Sequence, residues 1–253
     1  MFLVRLRRSA KWAFMLLVIA FTFTFLFSGV GSGSGSGNVI EQLLGMRGPN
    51  AVKSAEKTVK EHPRDPEAWN SLGLLYEGKG RTTDAIHAYE TFLKLKPKDS
   101  DGLTQLATIW KKITTQRWNE YTAAAQEFQD ASGPFGASTD PVVVFIGSSN
   151  PNPLLSAYTD TLNTKVNNAY SAYLKAGKSW ESINRRYLQA TPVSDKLARA
   201  QAVLQLGEAA ANANDLKTTI SSYKEYLRLV PGSTLAPQVR KALAAAEKAN
   251  SRG

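Results

Sequence analysis

The chain has 253 residues, enough for one large or two small domains with a buried core. It has no cysteine, which excludes disulfides, a thiolate nucleophile, cysteine-ligated metal sites and an acylated lipoprotein anchor. The formal charge is +10, but Arg5, Arg7, Arg8 and Lys11 precede the first apolar stretch and leave 27 basic against 21 acidic residues elsewhere. No basic stripe with interleaved aromatics accompanies this mild excess, so nucleic-acid binding is not expected.

Residues 1–11 form a basic N-terminus, and residues 12–30 carry no charge. As a helix at 1.5 Å per residue the uncharged stretch spans about 28 Å, close to the ~30 Å hydrocarbon layer of a bilayer. Nothing charged follows until Glu41, so the positive-inside rule keeps the N-terminus in the cytoplasm and places the remainder outside. These features predict a single-pass transmembrane signal-anchor helix, with the lipid bilayer as a partner through residues 12–30. The alternative is a cleaved signal peptide and a secreted domain. Against it stand an apolar core longer than the usual 7–15 residues and the lack of an A-x-A site, although Gly29 and Gly31 are small enough. Residues 31–37 are a Gly/Ser linker of a kind found both in natural tethers and in engineered fusions. The run from Gly29 to Gly37 reaches ~17 Å as a random coil.

The domain from 38 to 253 opens with a short apolar helix carrying Val39, Ile40, Leu43 and Leu44, and with a second helix after Gly48-Pro49. Pro66 to Pro97 then holds Trp69, Leu72, Gly73 and Tyr76 at W-x₂-L-G-x₂-Y spacing, followed by Ala85, Tyr89 and Pro97. The large apolar residues form one stripe of a first helix, Gly73 leaves room for a neighbour, and Ala85 marks the close crossing of the second helix. Lys79-Gly80-Arg81 is the turn, with Gly80 free to take a left-handed backbone.

This stretch, 66–99, resembles a tetratricopeptide (TPR) repeat. One helix pair cannot bury its apolar face alone, so neighbours must stack on it. Counting back one repeat gives Ala51, Ala55 and Pro63, which makes 49–63 the B helix of a degenerate first repeat, 38–63.

After Pro97, Leu103, Leu106, Ala107 and Trp110 recur in phase with Trp69, Leu72, Gly73 and Tyr76. No Gly or Pro then occurs from Leu103 through Ser132, and Leu103, Leu106, Trp110, Ile113, Tyr121, Ala124 and Phe128 keep a helical stripe interrupted at Arg117. A second run, Leu154 to Ala176, carries Leu155, Tyr158, Leu162, Val166, Ala169 and Tyr173 at spacings of three and four. Together they predict a long antiparallel helical hairpin over 100–176, inserted into the array. Its loop, 133–153, contains the apolar run Val142 to Ile146, which is expected to fold back and cap the hairpin; a partner-binding or membrane-touching role is the alternative.

Gly177-Lys178 is expected to turn the chain into a separate helix over 177–192 with Trp180, Ile183 and Tyr187. Ser194 is expected to cap the next helix, Asp195 to Ala213. Within 194–232, Leu206-Gly207, Tyr223 and Pro231 repeat Leu72-Gly73, Tyr89 and Pro97. A capping helix over 233–250 is expected to start at Ser233, with Pro237 in its first turn. Glu225 and Arg228 stand at the spacing of an ordinary surface pair.

Nothing in the sequence carries a catalytic constellation. His62 and His87 have no second histidine at ligand spacing, and no nucleophile elbow, P-loop or dinucleotide fingerprint occurs. No enzyme activity, cofactor or metal is therefore expected.

The resemblance implies instead that the first helix of each pair lines a concave groove holding a protein or peptide partner. Residue by residue, the groove positions are Glu67, Asn70, Leu74 and Glu77, then Asp101, Thr104, Gln105, Thr108 and Lys111, then Gln201, Leu204 and Glu208. The basic and Asn clamp with which chaperone-binding members hold a C-terminal carboxylate is missing, since Glu67, Leu74 and Glu77 stand there. The expected fold is thus all-α: a TPR-like helical-hairpin solenoid with an inserted hairpin, preceded by one N-terminal transmembrane helix. In layout it is similar to bacterial envelope TPR proteins. The alternative function is a homo-oligomer, a structural envelope protein that self-associates through the hairpin.

Overall fold

The computed structural model describes residues 50–136 and 153–252. The chain divides into two compact units, 1–51 and 52–253, and the first lies almost wholly outside the described residues. So do the apolar helix expected after Asn38, the segment 12–30, the linker 31–37 and the run Val142 to Ile146. Eight helices make up the described residues: α1 (Ala51–Glu61), α2 (Pro66–Gly78), α3 (Thr82–Leu95), α4 (Ser100–Gly136), α5 (Pro153–Ala190), α6 (Lys196–Asn212), α7 (Leu216–Leu229) and α8 (Ala236–Asn250). Among them none is long and apolar enough to cross a membrane.

The α2–α3 pair follows from its sequence almost residue by residue. The Asp65 carboxylate accepts from the Glu67 N–H at 3.0 Å, and Pro66 takes the first turn, where its missing N–H costs nothing. At the far end Gly80 has φ +71, the left-handed conformation that a side chain would penalise. Ala85, Ala88 and Tyr89 on α3 are fully buried against Leu72, Gly73 and Tyr76 of α2. The Trp69 indole N–H donates to the Pro63 carbonyl at 3.0 Å, and Tyr76 donates to Glu56 at 2.8 Å, tying α2 to α1.

Helices α4 and α5 run antiparallel. Lys111 stacks on Trp180, Trp118 meets Tyr173, Tyr121 meets Tyr170 and Glu127 pairs with Lys165, so each step along α4 is matched by an equal or nearly equal step back along α5. At the base of this hairpin Leu103, Leu106 and Ile109 share one core with Trp180 and Ile183 and with the α2–α3 pair. Residues 100–113 and 177–190 thus pack as the two helices of a middle repeat, and the hairpin is their outward continuation. Leu103 and Leu106 are fully buried, each contributing roughly 1.5–3 kcal/mol relative to exposure.

The turn expected at Gly177-Lys178 does not exist: α5 is continuous from Pro153 to Ala190 and includes Trp180, Ile183 and Tyr187. Gly177 serves close approach instead, because a Cβ there would press on the Asn212 carbonyl and lie 2.7 Å from its carbon. Helix α4 runs without a break through Arg117, where the apolar stripe is interrupted, and Arg117 pairs with Glu120 at 2.6 Å.

Asp195, rather than Ser194, caps α6, its carboxylate accepting from the Ala198 N–H at 2.9 Å. Asp215 caps α7 in the same way through Thr218 N–H at 3.0 Å. Between them Asn214 adopts φ 60, standing where Gly80 stands in the α2–α3 pair; Asn is the side chain that tolerates this conformation best. A smaller core of Ala200, Val203, Tyr223, Tyr226 and Val239 joins α6, α7 and α8. Helix α8 begins at Ala236, later than expected, because the Ser233 hydroxyl is used in the preceding turn by Tyr226 at 2.7 Å and by the Leu235 N–H at 3.2 Å.

Candidate partner-binding groove

The candidate groove residues fall on α2, the base of α4 and α6, the first helices of the three stacked pairs. Glu67, Leu74, Glu77, Asp101, Thr104, Thr108, Lys111 and Gln201 are exposed, and Asn70, Gln105, Leu204 and Glu208 are half-buried. Leu74 keeps 40 % of its surface exposed, high for a leucine flanked by the buried Gly73 and Leu75.

Contacts bring only some of these residues together. Lys111 stands 3.6 Å from Glu208, joining the α4 and α6 positions, and the same ammonium lies 5.5 Å from the Trp180 ring centroid. An exposed pair of this kind is worth at most about 1 kcal/mol, so it orients rather than stabilises. Glu67 is engaged by Lys96 at 2.6 Å, at the end of α3, and Glu77 accepts from the buried Tyr89 hydroxyl at 3.3 Å. The Thr104 and Thr108 hydroxyls bond back to the Ser100 and Thr104 carbonyls, so they are already engaged within the helix. Leu204 packs against the α6–α7–α8 core and is the candidate that serves packing most.

Beyond the groove, the hairpin carries aromatic residues whose grouping the sequence did not reveal. Trp118, Tyr121, Tyr170 and Tyr173 form a circuit with ring centroids 5.2–6.2 Å apart, and the Tyr173 hydroxyl donates to Asn212 Oδ1 at 3.1 Å, on α6. Trp118 remains 45 % exposed and Tyr170 38 %. Aromatic pairs at i,i+3 on both helices, 118/121 and 170/173, are the sequence signal for it.

Two further polar clusters are structural. Arg185 joins Glu181, Asp215 and Thr218, bridging α5 to the start of α7. Burial opposes ionisation of Asp215, but its bonds to Thr218 outweigh this, with Arg185 adding its charge, and hold the carboxyl below the usual range. Asn184, fully buried, donates to the Trp180 carbonyl at 2.8 Å while its Oδ1 accepts nothing from the protein. His87 meets Trp69 edge-on at 6.2 Å, and the backbone of His62 closes the end of α1. Among the described residues no group of three metal-ligating side chains occurs. Glu225 pairs with Arg199 on α6 at 3.1 Å rather than with Arg228.

Stacked antiparallel helix pairs with glycine-on-tyrosine crossings define a helical-repeat protein. Residues 47–100 match the family model described as a tetratricopeptide repeat, and repeats of that family are protein-interaction scaffolds. No curated protein matches the chain.

Proposed function

We propose that this protein is a non-enzymatic adaptor that holds a protein or peptide partner against α2, the base of α4 and α6. The observation that carries the reading is the set of mostly polar, exposed or half-buried positions on the first helices of three consecutive pairs, those on α4 and α6 joined by Lys111 and Glu208, above a core that already buries the bulky residues. The match of residues 47–100 to a tetratricopeptide repeat supports it.

The uncharged stretch 12–30 with its basic flank supports a further step: a membrane-anchored, extracytoplasmic placement, with a role in envelope assembly or protein export. Cysteine placed at Ser36 is expected to react with an impermeant reagent in intact cells; reaction only after lysis contradicts the orientation. For the groove, photocrosslinkers at Asn70, Gln105 and Gln201 are expected to capture another protein. If those sites and sites on the hairpin give only crosslinks between copies of this chain, the protein is a self-associating envelope component instead, the second reading that the exposed Trp118 and Tyr170 favour.

A further inference from the structure

We propose that the Trp118–Tyr121–Tyr170–Tyr173 circuit receives a lysine or arginine side chain of the partner, so that the groove takes a cationic segment. This deepens the groove reading above and rests on it. Four rings meet in a closed circuit on one side of the hairpin, and two of them, Trp118 and Tyr170, keep more than a third of their surface in solvent. Aromatic faces carry the negative end of the ring quadrupole and attract a cation within about 6 Å. This chain already uses that interaction twice: the Arg81 guanidinium lies 4.3 Å over Tyr76, and Lys111 lies 5.5 Å from Trp180.

The circuit also continues the groove. Tyr173 is fixed to α6 through Asn212, and one turn away on α6 Glu208 meets Lys111, which stacks on the same helix α5 that carries Tyr170 and Tyr173. Charge then selects the occupant. Of the four carboxylates at the twelve groove positions, Glu67 is met by Lys96 and Glu208 by Lys111, while Glu77 and Asp101 stand in no ion pair among the described residues, which leaves a local excess of negative charge in a chain whose net charge is +10. Along the hairpin the Arg117 and Lys165 cations already have carboxylate partners, Glu120 and Glu127. An extended partner that meets the carboxylates with basic residues and sets one of them on the rings matches both features.

The test uses the full 253-residue chain with a fluorescent hexa-arginine peptide as probe and hexa-glutamate as its counterpart. Bulk electrostatics oppose hexa-arginine, so its saturable binding reports a local site. Trp118→Leu keeps the apolar bulk and removes the aromatic face; it is expected to weaken hexa-arginine about tenfold, Trp118→Phe less. Tyr170→Leu serves as the independent second variant. The triple change Glu77→Gln, Asp101→Asn, Glu208→Gln is expected to weaken binding and flatten its salt dependence, while hexa-glutamate responds to none of the aromatic changes.

The proposal is overturned if hexa-arginine fails to bind, or if both leucine variants bind it as tightly as the parent. It is also overturned if sedimentation shows a dimer that Trp118→Leu dissolves, since a second copy then covers the rings. Capture at Asn70, Gln105 and Gln201 that persists unchanged in Trp118→Leu cells sinks the cation site and leaves the groove standing. The absence of any capture at those positions in the parent sinks the groove itself.

Discussion

A methyl group on Gly207 would lie 2.6 Å from Cε1 of Tyr223, and one on Gly73 would lie 2.9 Å from the same atom of Tyr89. Both pairs bring a tyrosine ring close against a helix backbone, and both rings are buried. Alanine normally gains about 1 kcal/mol over glycine inside a helix, but overpacking costs roughly 1–3 kcal/mol, so the two effects oppose each other at each site. Gly177→Ala is expected to be the worst, since its methyl would meet the backbone of Asn212, which cannot rotate away. Gly207→Ala and Gly73→Ala follow in that order. Gly78→Ala, where a methyl would touch nothing within 4 Å, is expected to stabilise by up to about 1 kcal/mol. Urea melts of the four variants check the order, and a stabilised Gly177→Ala would contradict the close packing of α5 on α6.

The start of α6 offers a sharper comparison. Asp195→Ala is expected to cost about 1 kcal/mol through the lost bond to the Ala198 N–H, whereas Ser194→Ala is expected to change the melting midpoint little. Equal losses would show that the cap is shared.

Arg185 is the exposed end of a pair whose other member, Glu181, has a nearly buried side chain. Removing the guanidinium alone leaves that carboxylate buried without its cation, and Arg185→Met is expected to cost about 2–3 kcal/mol. The double variant Glu181→Met, Arg185→Met is expected to be more stable than Arg185→Met. A thermodynamic cycle on the two positions measures this, and simple additivity would contradict it.

Alkaline stability follows from the buried phenols. Burial, with Glu56 beside it, pushes Tyr76 up to about 12; burial also raises Tyr89, Tyr223 and Tyr173. A phenol whose folded pKa is raised holds its proton more tightly in the folded chain. Its contribution is therefore intact below the ordinary tyrosine value of about 10 and is lost as pH rises towards the folded value. Denaturant midpoints at about pH 9 and pH 11.5 should differ markedly, and Tyr89→Phe should narrow the gap. An unchanged gap in that variant would remove Tyr89 from the account.

The parts of the fold legible in the sequence are those where one residue type has one use. Trp69, Leu72, Gly73 and Tyr76, with the turn at Gly80, declared the α2–α3 pair, and the run without Gly or Pro after Leu103 declared a long helix. Gly177 misled because glycine serves both turns and close crossings, and the distinction lies in α6, which the local sequence does not contain. Ser194 and Asp195 are both competent caps, one residue apart, and only the turn geometry chooses. Asn214 hid the counterpart of Gly80 behind a less diagnostic residue. Among the candidate groove residues, positions on the helices were readable, but Leu204 was not separable from the core, since a half-buried leucine fits either. The aromatic circuit depends on the register between α4 and α5, set by contacts along the whole hairpin. Trp118 and Tyr170 lie off the predicted stripes and became visible only when that register was fixed.

The central claim, that a partner lies against the first helices of the stacked pairs, is tested most directly by hydrogen exchange of the full chain with and without the protein captured at Asn70, Gln105 and Gln201. The account predicts added protection in α2, in residues 100–113 and in α6, with α3 and α7 unchanged. Protection confined to α3 and α7, or to the hairpin beyond residue 113 alone, would contradict it.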